Sequence, residues 1–493
     1  MPRPVTSTTV TSTPVTSTAA TPAAPAAPAT PAAPATAPAP AGAAAGAPAR
    51  TLALTSAATF MALMTYTAPM VTLSDTAAAL GTSLSAQAWL LNGTPLGLAA
   101  LLLVAGSLAD DYGRRRVFLY GTYALGVTTA LGALATSTWM FTLARVVQGA
   151  ASAAVLAASL GLLAQAYPAG PGRIRATGVW GACVSGGIAL SPVVSGALAT
   201  LADWRLPYAV MGLATLGVGV LGPRALTESR APRPGRPDLA GAVTFGLALV
   251  ALLAALTLGR DGWLRAPVGV LLGLSAALLA VFTYVERRAR TPMLDLGLLR
   301  RPLFLASTAG GLFTGLSVIA LFSYLPTVLQ HTMGLTAMDT AWLFVLWSGT
   351  GFLVALQARR LAGRVTARHQ LAAGFLLHAV AAVTMLGAAA DSWPRLLPGL
   401  LVSGAGSGLL NAALPLLAVE SVPPGRAAMG SGAGNTARYI GSAAGVALMI
   451  AVSTASGSSP AALAHGADVA LAVSAGLGVL AALTVVLPRD RRR

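Results

Sequence analysis

Two arginines stand in stretches apolar enough to lie in lipid: Arg145 within 139-WMFTLARVVQGAASAAVLAASLGLLAQAY-167 and Arg438 within 422-VPPGRAAMGSGAGNTARYIGSAAGVAL-448. Their neighbours are small or polar at helical spacing. Gln148, Gly149 and Ser152 follow Arg145 at i+3, i+4 and i+7, while Ser431, Asn435, Arg438 and Ser442 share a second face. A charge at membrane depth is costly; an arginine can snorkel outward, but the polar, small-residue face around it is expected against a water-filled cavity and not lipid. By helical rise Arg145 lies roughly 9 Å below Trp139, and Arg438 roughly 16 Å into its span, near mid-bilayer. One arginine from each half is therefore expected to face the other across a central cavity. Thr65, Tyr66, Asn92, Tyr324, Trp347 and Asn411 are further candidates to line it.

The acids are elsewhere. All 14 Asp and Glu residues fall in loops or at helix ends. Two deep positive charges without a deep carboxylate favour anionic or neutral polar molecules over lipophilic cations. Two groups are candidates to carry a proton: Asp75, at the outer end of the first apolar run, and His378, whose ordinary pKa lies near neutrality. The four histidines are far apart and Cys183 is the only cysteine, so neither a metal site, a cofactor nor a disulfide is expected. Every basic residue is arginine, which excludes a Walker A loop. With no nucleophile–base pair at membrane depth, an enzyme is not expected.

The elements that must position these groups follow from composition. Only 9% of residues are charged, 55% are hydrophobic and the mean hydropathy is +0.74, too apolar for a soluble chain of this length. Residues 1–50 form a Thr/Pro/Ala tract expected to be a disordered tail, with no apolar core of a cleavable signal. From Thr51 onward, apolar runs predict spans near 52–73, 87–107, 116–135, 140–163, 176–200 and 206–223. Two more follow near 239–258 and 266–285, then six near 303–326, 338–357, 369–389, 395–418, 429–452 and 467–487. The count is fourteen, all helical, arranged six, two and six. The expected units are 51–224, a linker 225–302 with two additional spans, 303–488, and a basic tail 489–493. Twenty-three arginines fall in one set of loops and only Arg205, Arg260, Arg265 and Arg395 in the other, which puts both termini in the cytoplasm. Trp139, Trp204, Trp263 and Trp393 are expected at the outer interface. A weak repeat, 108-LADDYGRRRVFLYG-121 against 361-LAGRVTARHQLAAG-374, relates the two outer sets of six.

Three motifs carry a family resemblance. In 106-GSLADDYGRRR-116, Gly106, Asp110, Gly113 and Arg114 match a G-x-x-x-D-x-x-G-R-R/K-R/K loop, with Asp111 where a basic residue is common. The stretch 145-RVVQGAAS-152 is similar to R-x-x-Q-G, and 187-GIALSPVVSG-196 to the antiporter motif G-x-x-x-G-P-x-x-G-G. The last keeps Gly187, Pro192 and Gly196 but has Ser191 and Ser195 for two glycines. On these the chain resembles the major facilitator superfamily, and within it the 14-spanner drug/proton antiporter branch, over residues 52–488. The resemblance implies two six-helix bundles with two extra central helices. It also implies that the first motif helps latch the outward-open state and that the third marks exporters more than importers. In the branch's first span, F-M-x-x-L-D-x-T, this chain reads 60-FMALMTYT-67, so Thr65 stands where the aspartate belongs.

The implied function is export of a drug, antibiotic or secondary metabolite across the bacterial cytoplasmic membrane by alternating access with proton antiport. Its partners would be a small molecule, protons and lipid, with no nucleic acid, the chain acting as a monomer. Thr65 and the two serines favour a rival, a proton-independent uniporter or importer of an anionic or neutral metabolite. A non-transporting sensor or scaffold is the third reading.

Overall fold

The computed structural model describes residues 46–486 except 83, 231–237, 260–261, 290–291, 358–359, 361–363, 391, 456 and 458. Residues 1–45 of the expected N-terminal tail, the basic C-terminal tail and the start of the second repeat stretch therefore lie outside the described residues; residues 46–50, expected in that tail, are instead the first turn of a helix. Backbone in lipid must satisfy its own hydrogen bonds, and the described residues do so in helices. They are α1 (Gly46–Thr67), α2 (Pro69–Ala79), α3 (Leu84–Tyr112), α4 (Arg114–Ala133), α5 (Thr138–Ala166), α6 (Pro171–Leu201) and α7 (Arg205–Ala225). Then come α8 (Leu239–Gly259), α9 (Ala266–Arg288), α10 (Pro302–Phe313) and α11 (Ala320–Met333), the last two joined by a π-helical turn, Thr314–Ile319. The remainder are α12 (Ala337–Gln357), α13 (Ala367–Thr384), α14 (Leu396–Glu420), α15 (Ala427–Thr454) and α16 (Pro460–Val486).

Taking α1 with α2 and α10 with α11 as single rods, helices stand at all the expected positions. Twelve of them are long and apolar enough to cross a membrane; α1 and α4 fall short of that measure. The apolar run of α1 is diluted by threonines, whose hydroxyls fold back onto the helix: Thr55 donates to the Thr51 carbonyl and Thr65 to that of Met61. The other, α4, opens on three arginines. Of the four tryptophans expected at the interface, Trp139, Trp263 and Trp393 are exposed. Trp204 is not: it is buried edge-on against Phe141 and Tyr208, because α7 begins there and folds its indole inward.

One set of helices packs as α3 on α5, α4 on α5 and α7, and α1 on α6; the other packs α13 on α14 and α16, α12 on α14, and α10 on α15. Contacts between the sets run through α3 with α15 and through α6 with α12 and α14. The first seam is close: Gly106 lies on the Ala428 carbonyl and Gly432 on that of Leu102, and a Cβ at either would overlap that backbone. Between the sets in sequence, α8 packs against α9, α3 and α15.

Candidate substrate cavity and interhelical latch

Arg145 is fully buried, and it does not line the central cavity. Its Nη1 donates to the Thr65 carbonyl at 2.6 Å and to Gln148 Oε1 at 3.1 Å, and its Nη2 to the Tyr66 carbonyl at 3.0 Å. The reason is local. Pro69 has no N–H to offer the Thr65 carbonyl four residues back, and the rod breaks at Ala68. The oxygens left at the end of α1 are met by a guanidinium instead. Ser191 of α6 donates to the preceding carbonyl, that of Met64, at 2.6 Å, beside the Ala68 N–H that the same oxygen accepts. Three consecutive carbonyls are thus held by side chains from α5 and α6, and Tyr66 is fixed between them. Gln148 donates on to the Thr128 carbonyl, and Ser152 is buried in the same interface. The face at 145, 148 and 152 is a brace between helices, where the sequence reading put it against water.

The cavity, about 720 Å³, lies between the two sets of helices, within the range that holds a drug-sized ligand. Tyr66, Asn92, Tyr324 and Pro192 line it, as does the stretch of α15 from Tyr439 to Thr454, roughly 20 Å of helix. Phe322, Phe344 and Trp89 make its aromatic walls, and Leu253, Leu256 and Thr257 of α8 close one side. At its floor Tyr66 and Tyr439 meet edge to face, with ring centroids 6.1 Å apart. Behind them is a recess of about 50 Å³ bordered by Trp347, Asn411 and Arg438, and a second of about 20 Å³ bordered by Asn411, Asn435 and Arg438.

Beyond the floor the helices are clamped. The Asp110 carboxylate is fully buried and accepts from Arg114 Nε at 2.8 Å and from the backbone N–H groups of Met429 at 2.9 Å and Ala428 at 3.4 Å. These are first-turn N–H groups of α15, which no carbonyl of their own helix can reach. Arg114 Nη2 bonds the Gly425 carbonyl at 2.6 Å. Asp111 pairs with Arg426 at 2.9 Å, a second ion pair across the same seam. The α3–α4 turn depends on Gly113, whose φ of +126° suits glycine and whose α-carbon faces the Glu228 carboxylate. That carboxylate accepts from the N–H groups of Arg115 and Arg116 and so caps α4. The latch sits at the C-terminal end of α3 and the N-terminal end of α15, whereas the cavity occupies their opposite halves. It therefore closes one end, while exposed Met70, His331 and Thr454 line the other.

A family model described as Major Facilitator Superfamily matches residues 55–446. The chain belongs to the Major Facilitator Superfamily. Among its relatives, a puromycin resistance protein of Streptomyces alboniger is 31% identical over 84% of this chain and 86% of its own length. A cephamycin export protein of Amycolatopsis lactamdurans is 32% identical over 89% and 92%, and a multidrug efflux pump of Mycolicibacterium smegmatis 30% over 76% and 74%. The crystal structure of a human organic anion transporter superposes with a TM-score of 0.63 at 18% identity, covering 89% of this chain and 99% of that one, which bears on the fold alone. These relatives place the chain in the drug-efflux branch of the superfamily, as a multi-pass membrane transporter of small molecules.

The third motif, residues 187–196, is packed against α1. Gly187 lies against the Phe60 carbonyl, Ser191 adds the bond to Met64, and Ser195 and Gly196 are buried. The two proton candidates are both outside the cavity. Asp75 is exposed on α2. His378 is buried among α13, α14 and α16, its Nδ1 3.0 Å from Ser403 Oγ and its Nε2 2.9 Å from Ser474 Oγ. Among the described residues no three His, Cys, Asp or Glu side chains could hold a metal. Several lining residues were passed over in sequence, above all Ser323, Thr327, Gln330 and His331 of α11. Their spacing of about four is a polar stripe that the 3.6-residue period would have revealed.

Substitutions at the second ion pair separate its contribution from that of Asp110. Asp111→Asn is expected to slow transport about fivefold, the equivalent of about 1 kcal/mol for a partly buried pair. Exchanging the charges, Asp111→Arg with Arg426→Asp, should recover most of the rate in a vesicle transport assay.

Proposed function

We propose that this protein is an exporter in a bacterial cytoplasmic membrane, with both termini in the cytoplasm, that moves a small organic molecule outward by alternating access. The arginine bias of the loops supports a latch end inside the cell. On that orientation we read the arrangement as outward-open: a cavity between the two bundles, closed toward the cytoplasm by Asp110, Arg114 and Arg426. That closed-below, open-above geometry is the observation that carries the reading. The names of the relatives, which speak of puromycin, cephamycin and multiple drugs, support an antibiotic or secondary metabolite as cargo.

Coupling to proton antiport belongs to the same reading. The test is purified protein in proteoliposomes with an imposed pH gradient, following uptake of candidate anionic and cationic organic compounds. Gradient-driven uptake is the expected result. Transport that runs only down the compound's own gradient would replace antiport with the uniporter reading, which Thr65 at the usual acid position favours.

A further inference from the structure

The two deep arginines differ in their partners. Arg145 is occupied by carbonyls and by Gln148. Arg438 makes no hydrogen bond or ion pair with any described residue; its Nε, like that of Arg145, is buried without a partner, so the difference lies in the two Nη groups. A guanidinium carries five donors and cannot shed its charge. Left unpaired at membrane depth it is costly, which makes a functional partner the natural reading. Nearby, Asn411 Nδ2 is spent on Ser185 Oγ and Asn435 Nδ2 on the Ser431 carbonyl. The described residues that border the two recesses include no carboxylate.

We propose that Arg438 is the anion-recognising subsite of the transport cavity, and that the cargo is an organic anion with an aromatic or apolar body. This inference rests on the transport reading and names the class of molecule carried. The sizes divide the ligand. A recess of about 50 Å³ holds a carboxylate or a few waters, whereas only the cavity of about 720 Å³ holds a ring system. Tyr66 and Tyr439 border both spaces. Met70, Phe322, Ser323 and Phe344 border both as well, and the tyrosine hydroxyls make no hydrogen bond with any described residue, so both can donate to an acid group entering beside the ring pair toward Arg438. Phe322 and Phe344 would then flank the body. Arginine suits the task because its planar fork meets a carboxylate with two parallel bonds.

The test is equilibrium binding to the full chain in nanodiscs at neutral pH, read by fluorescence and corrected with empty discs. The probes are 1-pyrenebutyrate, its neutral amide, and a pyrenylbutyl trimethylammonium. The native chain is expected to bind the carboxylate at least tenfold tighter than the amide, and the cation more weakly still. Arg438→Gln should bind carboxylate and amide equally while holding its affinity for the amide, which reports an intact cavity. Arg438→Lys should recover part of the preference. The proposal is overturned if the native chain binds the amide or the cation as tightly as the carboxylate, if it binds none of them, or if the preference survives in Arg438→Gln. No gradient enters this measurement, so a failure of the export reading would show in the vesicle assay and leave the binding ratio unchanged.

Discussion

Asp110→Asn is expected to abolish most transport and to open the latched end. The native carboxylate, wholly buried, serves Arg114 and two N–H groups of α15 at once. The amide keeps the shape but removes the charge, leaving Arg114 buried without its partner. Breaking such a pair costs roughly 3–5 kcal/mol, or about a two-hundred- to a five-thousandfold shift in the equilibrium between latched and open states. Spin labels on the latched ends of α3 and α15 should show their separation increase in the variant, and export from vesicles should fall at least tenfold. Unchanged distances with native export would remove the latch from the mechanism.

The second large effect is expected at Arg145. Arg145→Met preserves length and packing but abandons the carbonyls of Thr65 and Tyr66. Each buried acceptor left unsatisfied costs about 1–3 kcal/mol, so the loss is a sizeable part of a typical protein's stability. The thermal midpoint in detergent should fall by roughly 5 °C or more. Transport should fall with it, because Tyr66, at the cavity floor, is held through its own carbonyl. Arg145→Lys should recover only part of the loss, since an ammonium lacks the planar fork that reaches two carbonyls and Gln148 together. A native midpoint in Arg145→Met would show that the carbonyls are served in another way.

Much of this was legible in the residues. Apolar run length placed the helices, because lipid admits little else, and the Gly/Asp spacing of 106–116 marked the turn whose Asp110 and Arg114 reach across to Met429 and Gly425. The role of Arg145 was misplaced for a definable reason. The polar face at 145, 148 and 152 looks the same whether it meets water or another helix. What distinguishes the two is Pro69, which deprives Thr65 of its hydrogen bond and leaves an acceptor on a different helix. The ion pair between Asp111 and Arg426 joins residues 315 apart in sequence, and no local pattern announces it. The stripe on α11 was readable and was overshadowed by the charged residues, whose rarity drew attention to α5 and α15.

The central claim is that the space between the bundles is open to the outside of the cell and shut from the cytoplasm. The most direct measurement replaces Cys183 with serine, places a single cysteine at Ser323 on the cavity wall, and applies a membrane-impermeant maleimide to intact cells and to inside-out vesicles. The account predicts rapid labelling in cells and protection in inside-out vesicles, with Asp110→Asn reversing the pattern. Labelling confined to inside-out vesicles of the latched protein would contradict it.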